Sequence, residues 1–111
     1  MSIATERRRA LRFKLKLPLI VRWRNNSRVY EAVTVSKNVC SRGIYFCLGG
    51  ERVKIGTFIE IILTLPQEIT HSGNQKVRCL GRVERYELKD LEGSDAGVAM
   101  SIEKYEFLHN N

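Results

Sequence analysis

The sequence predicts an all-β protein, a six-stranded antiparallel β-barrel with a mobile N-terminal arm and a short C-terminal helical turn. Three observations predict it. Apolar residues recur with a period of two along several stretches, which gives a strand one buried and one wet face. Turn-forming residues interrupt those stretches at short intervals, the pattern of strands that close into a barrel and hide their edges. Only the last few residues carry a spacing that suits a helix.

The first stretch is the clearest. Leu11, Phe13, Leu15, Leu17, Leu19, Val21 and Trp23 alternate with Arg12, Lys14, Lys16, Pro18, Ile20, Arg22 and Arg24. Pro18 cannot donate to a ladder, so it marks an edge, bulge or bend. Trp23 shares the face of Leu11 and Val21 and is assigned to the core. Asn25-Asn26-Ser27 is turn chemistry, and Val29 to Val39 forms the returning strand of a hairpin. Ser41-Arg42-Gly43 breaks it, Ile44 to Leu48 forms a short apolar strand, and Gly49-Gly50 closes it. Thr57 to Leu65 places Ile59, Ile61, Leu63 and Leu65 on one face and ends at Pro66; the polar stretch from Gln67 to Asn74 reads as a loop. Lys76 to Leu88 is another long strand, with Gly81 as a bulge or close-approach point. Lys89 to Asp95 is a charged loop, Ala96 to Ile102 the last strand, and Glu103 to His109 one or two helical turns anchored by Tyr105, Phe107 and Leu108.

With 111 residues and 43% hydrophobic content the chain supports one core, so residues 11–111 are taken as one domain and residues 1–10, without apolar periodicity, as the arm. No apolar run is long enough to span a bilayer, and the start reaches its charges without the apolar core of a secretory signal, so neither membrane insertion nor export is expected. Cys40, Cys47 and Cys79 are odd in number and lack CxxC pairing, which fits reduced thiols in a cytoplasmic protein better than a disulfide frame or a zinc site.

The net charge of +7 is uneven: residues 1–28 hold nine Lys/Arg against one acid, Glu6. Such a patch suits an anionic partner, although a solvated basic face produces the same pattern. Catalysis is disfavoured. His71 lies in a predicted loop and His109 in the tail, no serine or cysteine has a recognisable nucleophile context, and no carboxylate pair adjoins a Gly-rich phosphate loop.

Two local motifs carry the binding chemistry. In Arg7-Arg8-Arg9-Ala10-Leu11-Arg12, Arg8 and Arg12 stand four apart where the arm enters the first strand. In Asn38-Val39-Cys40-Ser41-Arg42-Gly43, a polar turn ends the second strand. Together they resemble the PilZ family, whose signature is RxxxR in the N-terminal arm followed by [D/N]xSxxG at the turn after a strand. The resemblance extends over nearly the whole chain, including Leu17-Pro18, the apolar strand after Gly43, and Gly97-Val98 in the last strand. One position departs: Cys40 stands where the family has serine.

The resemblance implies a PilZ barrel that binds the second messenger cyclic di-GMP, with no other cofactor, and signals in trans to a downstream protein as the arm closes over the ligand. Carried over residue by residue, it implies ligand contacts from Arg7, Arg8, Arg12, Asn38, Cys40 and Gly43. The residue types suit the ligand on physical grounds, because a guanidinium forks onto the O6/N7 edge of guanine, pairs with phosphate or stacks on a purine. Asn38 is assigned to a guanine edge, and Gly43 to a backbone conformation or close approach that a side chain would block. The Cys40 thiol is a weaker donor than a hydroxyl; losing one hydrogen bond of about 0.5–1.5 kcal/mol predicts up to about tenfold weaker binding.

Blander readings stand beside these. Arg8 and Arg12 are ordinary surface residues in many basic stretches, Asn38 and Gly43 are common turn residues, and Cys40 can be a small buried apolar group. Two other functions fit the same sequence. One is a PilZ-like protein-interaction module with weakened nucleotide binding, motivated by Cys40. The other, less favoured, is a small basic nucleic-acid-binding barrel using Tyr30, Tyr45 and Tyr86, against which the 8% aromatic content and the one-ended charge argue.

Overall fold

The computed structural model describes residues 16–49, 53–71, 73, 75–88 and 95–108. Six strands occupy them: β1 (Pro18–Asn25), β2 (Arg28–Cys40), β3 (Gly43–Gly49), β4 (Phe58–Leu65), β5 (Gln75–Leu88) and β6 (Asp95–Leu108), with a one-turn helix, α1 (Gln67–Thr70), between β4 and β5. The strands form a closed barrel in the order β1-β2-β3-β6-β5-β4, every neighbouring pair antiparallel, with β1 closing on β4.

The period of two does what it predicts. Leu19, Val21 and Trp23 of β1 point inward beside Ile59, Ile61 and Leu63 of β4, while Arg22 and Arg24 face solvent. Phe46, Ile61 and Val98 are fully buried at the centre, and each such side chain contributes about 1.5–3 kcal/mol through removal from water. The β1–β2 hairpin turns through Asn26-Ser27, with Asn26 at φ 59°, a left-handed conformation that Asn tolerates well. Outside, Glu60 on β4 lies between Arg22 of β1 and Arg78 of β5, and Arg78 also reaches Glu106 of β6. These charges link four neighbouring strands on the wet face.

Three irregularities break the alternation. In β2 the register shifts between Ser36, opposite Phe46, and Asn38, opposite Tyr45. Lys37 is the extra residue, so Asn38 lies on the outer face although it follows inward-facing Ser36 by two. In β5 the shift between Val83 and Arg85 leaves Glu84 extra and turns Arg85 outward opposite Ala99. In β6, Leu80 pairs with Lys104 and Gly81 with Ile102, so Glu103 is extra and the inward set changes from Met100 and Ile102 to Tyr105 and Phe107.

The last of these corrects the expected C-terminal helical turn. Glu103 to Leu108, expected as helical turns, continue β6 along β5, and the step from Ile102 to Tyr105 crosses a bulge between two runs of period two. A smaller correction falls at Gln67–Thr70, read as loop, where Thr70 N–H reaches the Pro66 carbonyl and His71 N–H the Gln67 carbonyl in one helical turn. Pro18 takes the first position of β1, where its missing N–H breaks no established ladder. The opening of the expected first strand, Leu11 to Leu15, and the arm at residues 1–10 lie outside the described residues. Gly81 sits at the β5–β6 irregularity as expected, and a Cβ there would run into the Ser101 carbonyl oxygen.

Candidate functional site

The two outward-turning bulges meet on one row of the sheet. Asn38 of β2 lies opposite Tyr45 of β3, Tyr45 opposite Ala99 of β6, and Ala99 opposite Arg85 of β5. At about 4.8 Å per strand, Tyr45 and Arg85 stand roughly 10 Å apart at the backbone with only a methyl group between them. An open groove of about 350 Å³ results, floored by Gly43, Ala99 and the Met100 backbone region and walled by Asn38, Tyr45, Glu84 and Arg85. Cys40, Arg42 and Glu87 complete its rim.

The small floor is enforced at Gly43. A Cβ there would lie 2.5 Å from the Met100 carbonyl oxygen, inside contact distance, because β3 and β6 approach closely at the Gly43–Ser101 pair. The reason for glycine is this approach, since Gly43 is not among the residues with positive φ. The Tyr45 hydroxyl donates to Glu87 Oε1 at 3.3 Å, reaching across β6 to close one end of the groove.

Chemically the groove combines two guanidinium groups, two carboxylates, a phenol and a carboxamide. Guanidinium groups suit phosphates and the O6/N7 edge of a purine. Carboxylates accept from amino and imino N–H groups, and an aromatic ring offers a stacking face. Such a set is suited to a nucleotide, which presents all three kinds of partner.

A second groove, of about 220 Å³, opens at the barrel pole below the first. Its lining is almost wholly apolar and includes Leu17, Leu63, Val77, Ile102, Tyr105 and Phe107. Here β6 has outrun β3: pairing between them ends at Ser101, and among the described residues Lys104 to Leu108 pair with β5 alone. Tyr105 and Phe107 are therefore about half exposed although they face the barrel interior. Val39 and Cys40 line both grooves. Buried Cys79 also lines the pole, and desolvation raises its thiol pKa from 9.0 to about 11.

Of the residues expected to contact a ligand, Asn38, Cys40 and Gly43 border one groove, while Arg7, Arg8 and Arg12 lie outside the described residues. The sequence reading missed Arg42, Arg85, Glu84 and Glu87. Arg42 stands inside the second motif and was locally visible; the three β5 residues reach the groove only through a register that local spacing does not reveal. Tyr30 stacks on Trp23 at 5.6 Å, and both Tyr30 and Tyr86 pack partly buried against the core. Of the three tyrosines considered for stacking, Tyr45 is the one that borders the groove. Among the described residues no cluster of three or more His, Cys, Asp or Glu could hold a metal ion, and no helix is long and apolar enough to cross a membrane.

Together the closed six-stranded order and the groove beside the β2–β3 turn define a small antiparallel β-barrel with one polar groove on its outer face. Among solved structures, the Bacillus subtilis inhibitor of motility (MotI/DgrA) is similar in fold, with a TM-score of 0.71 over 88% of this chain at 18% sequence identity. The match covers 43% of that protein, so this chain corresponds to less than half of it. The sequence matches no family profile and no curated protein.

Proposed function

We propose that this protein is a receptor for cyclic di-GMP that binds the nucleotide in the polar groove and acts in trans on a separate protein. The observation that carries this reading is the meeting of Asn38, Cys40 and Gly43 with two guanidinium groups, Arg42 and Arg85, around one groove. In this reading Arg85 and Arg42 take phosphate or the O6/N7 edge of guanine, Tyr45 offers its ring to a base, and Glu84 accepts from the guanine N1–H and N2–H₂ groups. At about 350 Å³ the groove stands near the lower limit for small-molecule sites, and it is open. It holds part of a dinucleotide, and Arg8 and Arg12, with Arg7 beside them, supply the remaining contacts from the leader. The surface formed when the leader joins the ligand is what the downstream protein reads. The structural neighbour is by name an inhibitor of motility, a regulatory role consistent with a binding module.

Calorimetric titration with cyclic di-GMP tests the reading. Arg8→Ala, Arg12→Ala and Asn38→Ala each remove hydrogen bonds to the ligand; at about 1.5–3 kcal/mol for a charged donor, each arginine variant weakens binding by roughly 10- to 150-fold. Absence of binding by the wild-type chain at tens of micromolar ligand overturns it.

One observation favours a second reading, a protein-interaction module with weakened nucleotide binding. Cys40 replaces a hydroxyl at the groove rim and adjoins the apolar pole as well, where a thiol is better suited than in a polar site. Val33 and Val35 on β2 are also exposed, Val33 at 80%, as a contact surface would be. Cys40→Ser separates the two: a sharp rise in affinity identifies a weakened receptor, and tight binding by both forms excludes this alternative.

A further inference from the structure

The outer face of β1, β2 and β4 carries apolar residues where the alternation calls for polar ones. Val33 of β2 lies opposite Ile20 of β1, and Ile20 opposite Ile62 of β4, so three aliphatic side chains run across three strands on the wet side of the barrel. Val35 and Pro18, paired with each other, extend the patch toward the start of β1. Val33, 80% exposed, is the most exposed large apolar side chain among the described residues, and Val35 and Pro18 are exposed as well. The inward positions of the same strands are taken by Leu19, Val21, Ile61 and Leu63, so this patch lies outside the core. A contiguous exposed apolar patch with a polar rim marks a contact surface.

The rim fixes the sign of the partner. Lys16 and Lys37 stand exposed at the open end of the β1–β2 hairpin, and Arg24 and Arg28 at its turn. Among the described residues none of these four cations pairs with an acid. Glu31 is the one acid between residues 16 and 40, and Arg22 holds it at 3.7 Å. The face is therefore apolar at its centre and positive at both ends.

Four kinds of occupant differ in how they meet such a face. A second copy would bring two positive rims together, an unfavourable meeting for a chain of net charge +7. A bilayer surface is entered by aromatic and leucine side chains, whereas these are valines, isoleucines and a proline held on strands. A nucleic-acid strand needs rings to stack on, and this patch has none. A protein helix suits both parts, because an apolar stripe covers an aliphatic sheet face while acidic flanks meet the rim. From Arg28 to Lys37, β2 spans roughly 30 Å, the length of a helix of about 20 residues. We propose that this face docks an acidic amphipathic helix of a partner protein, its apolar stripe seated on Ile20, Val33, Val35 and Ile62 and its carboxylates on the cations at the two ends. Lys37, the extra residue of β2, stands between Val35 on this face and Asn38 in the polar groove, so the two surfaces adjoin. That the docked protein is the one acting downstream rests on the receptor reading; the docking itself requires no nucleotide.

The test is titration of the full-length, nucleotide-free protein with a synthetic helical peptide of about three heptads, leucine at its a and d positions and glutamate beside them, followed through methyl resonances. Saturable shifts are expected at Ile20, Val33, Val35 and Ile62. Val33→Ser removes apolar contact without changing charge, and Lys37→Glu reverses one rim charge; each changes an exposed position and should weaken binding about tenfold. Equal affinity in Val33→Ser would mean attraction by net charge alone and overturns the proposal. So do equal binding of the same peptide with lysine in place of glutamate, shifts confined to other faces, and unchanged spectra at about 1 mM peptide. Shifts with phosphatidylglycerol vesicles but not with the peptide assign the face to a membrane, and concentration-dependent shifts of the protein alone assign it to a second copy; either result overturns the proposal. Peptide docking without cyclic di-GMP binding defeats the receptor reading alone, and nucleotide binding without docking defeats the docking alone.

Discussion

Replacing Gly43 by alanine tests the seam on which the groove is built. The added Cβ would lie 2.5 Å from the Met100 carbonyl oxygen, whereas carbon and carbonyl oxygen normally approach to about 3.3 Å, leaving a deficit of roughly 0.8 Å. The obstacle is backbone of the neighbouring strand, so it cannot rotate away as a side chain would. Overpacking of this kind costs about 1–3 kcal/mol, offset by about 0.4–1 kcal/mol because alanine restricts the unfolded chain. The expected net loss is about 1–2 kcal/mol. With an unfolding entropy near 2.1 cal/mol/K per residue, the 111-residue chain should lose roughly 4–9 °C in Tm. Urea and thermal unfolding followed by circular dichroism measure both quantities. A loss below about 0.5 kcal/mol would refute the reasoning, because the β3–β6 approach would then be looser than the Gly43–Ser101 pairing requires. Gly81→Ala provides the scale: its Cβ would meet the Ser101 carbonyl oxygen more closely, and the variant should be the less stable of the two.

Three further outcomes follow from the packing. Ser36→Ala leaves the buried Leu17 N–H without its acceptor and should cost about 1–3 kcal/mol in urea unfolding; a neutral result would mean that water reaches this amide. Cys79 keeps its proton in the fold to about pH 11, against 9.0 without burial, so alkylation in the native state should remain slow at pH 9. Because the unfolded thiol ionises first, stability should fall between pH 9 and 11, by up to about 3 kcal/mol, and Cys79→Ala should lack that pH-dependent component. Glu60→Gln removes the shared partner of Arg22 and Arg78; it should lower the urea midpoint at low salt, with the difference shrinking toward zero near about 1 M salt.

Strand content was legible because alternation is a local property. Leu17 to Trp23 and Ile59 to Leu65 each announced a buried face, and the fold buries it. The Asn26-Ser27 and Ser41-Arg42 turns stood out for the same reason. What remained hidden was parity across bulges. Lys37, Glu84 and Glu103 each add one residue, and each reverses which neighbours face outward. Two of those reversals build the groove row from Asn38 to Arg85, and the third lies where β6 continues as strand through Tyr105 and Phe107 in place of the expected helical turn. All three extra residues are charged and exposed, a signal that marks where an alternation can break but not which partner strand it will face. The second motif was readable because its residues are contiguous; the β5 wall was not, because it meets β3 only through β6.

The central claim is that a guanine dinucleotide occupies the outer groove between β2 and β5. Mapping amide chemical shifts during titration with cyclic di-GMP tests it most directly, since it reports both binding and place. The account predicts saturable shifts concentrated at Asn38, Gly43, Tyr45, Arg85 and Ala99, weakened in Arg12→Ala. Unchanged spectra at saturating nucleotide, or shifts confined to a different face such as the exposed valines of β2, would contradict it.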